Sequence, residues 1–341
     1  MSITVAHESC VRLLSVKSEC ARCMEACSFD ALSFANSILR LKTPSCTSCG
    51  ACVGVCPTGA ITLFSFQELA SIVVSKDEFT FGANEDGFLP EAFSSDEFFA
   101  LAAISKNGVF AELEDGSLAL SRIEEANRLL NSFGVQKEIQ IVEAPQKTPK
   151  ESLRDDSKRA LFRLFTKEGV KEKSDSLKNN DEFINEKELT VDYSRLRAKK
   201  IPFKRELFLG VVEKLELSDK NSNYALSFAS DKHIDDTCDN CSLCYNLCPS
   251  GALEVTGMKN AIVFSPHLCL KCRLCEDVCE TKSISSLPSF TLLAFKEKQK
   301  KLLKKFKARL CVSCGAVFSG DDEECNRCKA ESEDARELLG L

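Results

Sequence analysis

Tryptophan is missing from this 341-residue chain, and histidine and tyrosine occur only three times each. Histidine is the side chain whose charge changes nearest neutral pH. His7, His233 and His267 are scattered singly, so acid-base catalysis finds no constellation to use, and no glycine-rich phosphate loop is present. No apolar run approaches the roughly 20 residues that a bilayer-spanning helix needs. Met1 to Val16 has neither the basic start nor the apolar core of a secretory signal, and the expected location is the reducing cytoplasm. With so few other aromatics, core filling falls to the aliphatics and to 23 phenylalanines.

Cysteine is absent from Thr58 to Thr237, although the chain has 20 of them. They bunch instead at Cys10 to Cys56, Cys238 to Cys279 and Cys311 to Cys328. Such a count in a short secreted chain would read as a disulfide scaffold; at these spacings, in a long chain without a signal, it reads as metal binding.

Within the bunches, Cys46-x2-Cys49-x2-Cys52-x3-Cys56-Pro57 and Cys238-x2-Cys241-x2-Cys244-x3-Cys248-Pro249 carry one complete pattern, and Cys269-x2-Cys272-x2-Cys275-x3-Cys279 lacks only the proline. A run of this kind supplies three thiolates to one 4Fe-4S cluster and a fourth to its neighbour. Paired zinc knuckles would leave the third and fourth cysteines unexplained. The repeat extends beyond cysteine: Cys56-Pro57-Thr58-Gly59-Ala60-Ile61 matches Cys248-Pro249-Ser250-Gly251-Ala252-Leu253, and Cys27 to Leu32 and Cys279 to Ile284 are looser copies.

These stretches resemble the bacterial two-cluster ferredoxin family over about Cys10 to Leu63 and Thr237 to Leu287. The resemblance implies four 4Fe-4S clusters. In the second module it assigns one to Cys238, Cys241, Cys244 and Cys279, and another to Cys269, Cys272, Cys275 and Cys248. In the first, Cys46, Cys49 and Cys52 join Cys27, while Cys20, Cys23 and Cys56 are one thiolate short because Lys17 holds the family's cysteine position. Cys10, ten residues before Cys20, lies within reach of an extended chain at about 3.3 Å per residue and is expected to replace it. The alternatives are a buried or free thiol at Cys10, with an open iron corner or a three-iron cluster.

Cys311-x2-Cys314 and Cys325-x2-Cys328 resemble a short zinc ribbon, which implies one zinc ion in four-thiolate coordination, with a rubredoxin-like iron site as the alternative. Between the modules, strands at Phe79 to Phe81, Gly108 to Leu113 and Glu138 to Val142 alternate with helical patterns at Ser94 to Ser105 and Leu118 to Asn131. That order predicts a small α/β unit with parallel strands. It resembles the corresponding domain of electron-transfer delta subunits of hydrogenases and disulfide reductases, without their cysteines.

The expected class is therefore α+β, with a first ferredoxin-type module at 1–66 and an α/β insert at 67–145. A charged, partly helical linker at 146–228 leads to a second module at 229–290, and a basic helix at 291–309 to a zinc-ribbon-like tail at 310–341. Lys296 to Arg309 carries eight basic residues against one acidic, with Leu302, Leu303, Phe306 and Leu310 at helical spacing.

The formal charge of −6 would approach about −16 with four oxidised clusters and one zinc site at about −2 each. Such a field disfavours nucleic acid as a partner. The expected function is electron relay to or from a redox protein or oxidoreductase subunit, for which resemblance suggests a formate dehydrogenase or hydrogenase-like enzyme. The alternative is a non-catalytic assembly or regulatory factor with structural clusters.

Overall fold

The computed structural model describes residues 3–82, 88–143, 198–218, 220, 222–257, 260–319 and 322–339. Most of the charged linker expected at 146–228 lies outside them.

Each cysteine-rich module is built from a hairpin and a short outer strand pair. In the first, β1 (Thr4–Val5) pairs antiparallel with β4 (Ile61–Thr62), while β2 (Leu32–Ala35) and β3 (Ile38–Leu41) form the hairpin. One-turn helices α1 (Val11–Leu14), α2 (Arg22–Glu25) and α3 (Ala51–Gly54) lie between them. The second module repeats the plan, with β9 (Lys232–Ile234) paired to β12 (Ile284–Ser286) and a hairpin of β10 (Leu253–Thr256) and β11 (Ala261–Phe264). The short apolar runs Ile38 to Leu41 and Ala261 to Phe264 are thus hairpin strands. Strands this short gain most of their stability from packing. Leu32, Leu39 and Ile61, like Leu253, Ile262 and Ile284, are buried together with cysteines of their own module.

The insert has the expected parallel order. After α4 (Phe66–Ser75), β5 (Phe79–Phe81), β6 (Val109–Leu113) and β7 (Ile139–Glu143) pair in sequence through α5 (Ser95–Ile104) and α6 (Leu120–Ser132). A capping box opens α5, with the Ser94 backbone N–H donating to Glu97 at 2.8 Å. Apolar residues then occupy all its sides, as in a helix that is buried all round: Phe98, Phe99, Ala100 and Leu101 have no exposed surface.

A helix beyond the linker, α7 (Phe203–Lys214), completes this core with Phe208 and Val212; β8 (Asn223–Tyr224) pairs antiparallel with β13 (Phe290–Thr291), and Phe290, Leu292 and Phe295 join the core from the end of the second module. The insert also sits against the first module. A Cβ on Gly54 of α3 would come within 2.5 Å of the Glu91 carbonyl and 2.8 Å of the Phe93 carbonyl. Gly50, at φ +80°, would meet Ala92 at 2.5 Å, so both glycines are required where the two units touch.

The expected basic helix at 291–309 is not formed. Only Leu293–Lys296 is helical. Lys301–Lys305 is a strand, β14, antiparallel to β11, and Ala308–Leu310, β15, pairs with Val317–Ser319, β16. The open edge of β11 offers backbone partners that a solvated helix would leave unused. Acids of the second module also pair the lysines: Lys300 with Glu254 at 2.9 Å, Lys301 with Asp231 and Lys304 with Asp236. Leu303 and Phe306 pack on the module core, whereas Leu302 is 61 % and Leu310 67 % exposed. The four residues therefore do not form one helical stripe. Among the described residues no helix is long and apolar enough to cross a membrane.

Candidate metal centres

Three small pockets are each lined by one of the expected cysteine sets. They hold Cys27, Cys46, Cys49 and Cys52; Cys238, Cys241, Cys244 and Cys279; and Cys248, Cys269, Cys272 and Cys275. Apolar side chains complete the walls, among them Leu32, Leu253 and Ile262.

Local backbone explains why the spacing is so strict. In each complete run the residue before the second cysteine, Ser48, Asn240 or Lys271, has positive φ, and so does the residue after it, Gly50, Ser242 or Arg273. This kink turns amides toward sulfur: Ser48 N–H donates to Cys46 Sγ and Lys271 N–H to Cys269 Sγ, both at 3.4 Å. The four repeats that follow the last cysteine of each run share a second signature. The third residue after that cysteine, Asp30, Gly59, Gly251 or Lys282, is left-handed in every case.

Cys20 and Cys23 lie in the run that departs from the rule. Neither Glu19 nor Ala21 has positive φ, and α2 begins at Arg22. Lys17 forms an ion pair with Glu280 of the second module. Cys10, by contrast, has the backbone of a leading cysteine. It follows a 3₁₀ turn, His7–Ser9, at φ −79° and ψ 125°; Cys46 and Cys269 follow equivalent turns at −81° and 123° and at −67° and 127°. The β1–β4 pairing and the bond from Ala6 N–H to the Ala60 carbonyl, 2.8 Å, bring this segment beside the Cys56 loop. Cys10, Cys20, Cys23 and Cys56 are close enough to act electrostatically on one another.

Burial pushes the Cys23, Cys52, Cys244 and Cys272 thiols up to about 12, and neighbouring sulfurs add to the effect. Converging buried thiols cannot all ionise without a cation among them, so the donor sets suit a metal-containing group whose binding expels the protons. Cys279 moves the other way. Burial opposes its thiolate, but hydrogen bonds from Ser283 at 3.4 Å and Thr281 at 3.6 Å outweigh it and lower the pKa. Hydroxyls stand likewise beside Cys56 (Thr58, 3.8 Å) and Cys248 (Ser250, 3.7 Å).

The 4Fe-4S dicluster domain family matches residues 18–60 and again 237–283. A ferredoxin of Methanothermococcus thermolithotrophicus is 35% identical over 63 residues, 97% of its own length and 18% of this chain. The chain belongs to the ferredoxin family. Its iron-sulfur character and electron-transfer class follow from that membership, and the insert, β14 and the tail lie outside both matches.

The tail of this ferredoxin differs in scale from the modules. The sulfurs of Cys311, Cys314, Cys325 and Cys328 all lie within 4.8 Å of one another, and those of Cys314 and Cys325 are 3.8 Å apart. That edge fits thiolates about 2.3 Å from a single tetrahedral ion, leaving no room for a four-iron cube. Hydrogen bonding from the Cys325 N–H, at 3.3 Å, lowers the Cys311 thiol to about 6.

A group of buried charges between the modules was not legible as functional in the sequence. Lys204 and Arg205, consecutive on α7, face Glu97 and Asp96, consecutive on α5, at 3.8 and 3.5 Å. The available signal was a pair of charges placed just before an apolar helical stretch. Such pairs also occur on solvated faces, so burial could not be inferred from it.

Proposed function

We propose that this ferredoxin relays single electrons through four 4Fe-4S clusters between a redox protein and an oxidoreductase subunit. When bound, each cluster supplies a site that takes up and releases one electron, at a potential within roughly −700 to +450 mV. The ligands are Cys27, Cys46, Cys49 and Cys52; Cys10, Cys20, Cys23 and Cys56; Cys248, Cys269, Cys272 and Cys275; and Cys238, Cys241, Cys244 and Cys279. The position of Cys10 carries this reading, because it turns an incomplete set into a fourth complete one. The chain's own residues hold the thiolates, donate hydrogen bonds to them and limit water access through the apolar walls. Cys311, Cys314, Cys325 and Cys328 hold a structural zinc ion, and the cytoplasm is the compartment that suits so many reduced thiols.

A formate dehydrogenase or hydrogenase-like enzyme is the proposed partner, on family grounds. The test is anaerobic purification followed by metal counting and reductive titration. The expected result is about 16 iron and one zinc per chain, with reversible reduction. Clusters that cannot be reduced and reoxidised would overturn the carrier role and leave a structural one.

A further inference from the structure

Two contacts place the Cys10/Cys20/Cys23/Cys56 set and the Cys248/Cys269/Cys272/Cys275 set on facing sides of the modules. The Arg22 side chain, between Cys20 and Cys23, donates to the carbonyl of Lys271, between Cys269 and Cys272, at 2.7 Å. Val11, Leu274 and Val278 form a small buried cluster against which Cys20 and Cys272 both pack. These are the inner sets, and the other two are outer.

Behind this contact runs α7. Lys204 Nζ donates to the carbonyl of Cys56, an inner cysteine of the first module, at 3.0 Å. The next residue, Arg205, donates to the carbonyl of Cys269, an inner cysteine of the second module, at 2.9 Å, and to that of Phe228 at 2.9 Å. Both cations are buried, Arg205 to 1 % exposure, and the rings of Phe208, Phe228 and Phe295 surround its guanidinium. Their counter-charges, Glu97 and Asp96, belong to the insert and lie farther from the cations than the carbonyls do. Two parallel ion pairs thus turn their positive ends toward the two inner cysteine loops and their negative ends toward the insert.

We infer that Lys204 and Arg205 are positioning residues that lock the two inner cysteine sets to each other and place fixed positive charge beside both. Fixed charge and hydrogen bonds to the backbone of ligand cysteines tune what a metal centre does; the inner pair is therefore easier to reduce than it would be without them. The inference rests on the carrier reading above and assigns α7 and the insert, which family membership leaves without a role, to the coupling of the modules.

The test uses the full-length, cluster-loaded protein. Replacing a buried ion pair as a unit avoids stranding one charge, so the first variant is Arg205→Met with Asp96→Leu, and the second is Asp96→Asn alone. Midpoints are read for each resolved signal in a redox titration followed by electron paramagnetic resonance, alongside iron content. In the double variant the reduction equilibrium of one inner centre is expected to become about tenfold less favourable, 59 mV for one electron, while the outer centres stay put. Asp96→Asn is expected to shift the same centre the opposite way. A fully loaded double variant with unchanged midpoints, or with all centres shifted equally, would overturn the proposal. If the double variant loads no iron, Asp96→Asn decides alone, and the absence of a positive shift sinks the idea. Failure of the carrier reading is distinguishable, because it appears in the unmodified protein as centres that do not cycle.

Discussion

Lys17 and Glu280 form an ion pair across the two cysteine-rich modules. The residue standing where the ferredoxin pattern has cysteine is therefore a surface contact of the module junction, with Glu19 N–H to Asp277 at 3.0 Å beside it. Both partners are substantially exposed, and exposed pairs contribute little. Lys17→Ala is expected to keep its full iron content and melting temperature. Loss of iron in that variant would give Lys17 a role at the cluster and remove the case for Cys10.

Cys10→Ser supplies the complementary measurement. If Cys10 completes the fourth set, iron should fall from about 16 toward 12 per chain, or one cluster should convert to a three-iron form with its own paramagnetic signal. Iron content equal to the unmodified protein, with unchanged spectra, would leave Cys10 a plain buried thiol.

What could be read beforehand follows from how local each cause is. The ligand runs of Cys46, Cys238 and Cys269 are set by spacing alone, and the order of the insert by the periods of Phe79 to Val142, so both were legible, whereas the positive-φ kinks that shape those runs were not. Lys301 to Lys305 has a helical pattern in isolation, and its strand state depends on the distant edge of β11 and on Asp231 and Asp236. The burial of Lys204 and Arg205 likewise depends on Asp96 and Glu97, more than a hundred residues away. Composition around a charged pair says nothing about a partner that the fold alone brings up.

The strand reading of the basic segment can be tested at two adjacent positions. In β14, Leu302 faces solvent and Leu303 packs on the second module, whereas a helix would carry both on neighbouring parts of one face. Leu302→Asp should be tolerated. Leu303→Asp should lower stability by roughly 1–3 kcal/mol, the usual cost of burying a polar group without a partner. Equal effects of the two in a thermal melt would count against the strand.

The tail should respond to metal removal separately from the modules. Its four sulfurs converge on one ion's volume, and small domains of this kind draw folding energy from the metal. Cys314→Ser, or a zinc-selective chelator, is expected to remove one metal equivalent and increase proteolysis after β15 while leaving the visible absorption of the iron-sulfur centres unchanged. Iron lost in step with the zinc would show that the tail is part of the electron-carrying unit.

Gly54 tests whether the insert is fastened to the first module. Its missing side chain admits the Glu91 and Phe93 carbonyls and the Arg122 guanidinium, which donates to both carbonyls at 2.9 Å. A methyl group there meets backbone at less than 3 Å, and overpacking of this kind costs typically 1–3 kcal/mol. Gly54 itself lies between Cys52 and Cys56, one in an outer and one in an inner set, so displacement would be felt by both. Gly54→Ala should therefore lower the melting temperature and broaden the signals of the first module's centres while sparing the outer set of Cys238, Cys241, Cys244 and Cys279. A variant with unaltered stability would mean that the insert rests on the module without being held by it.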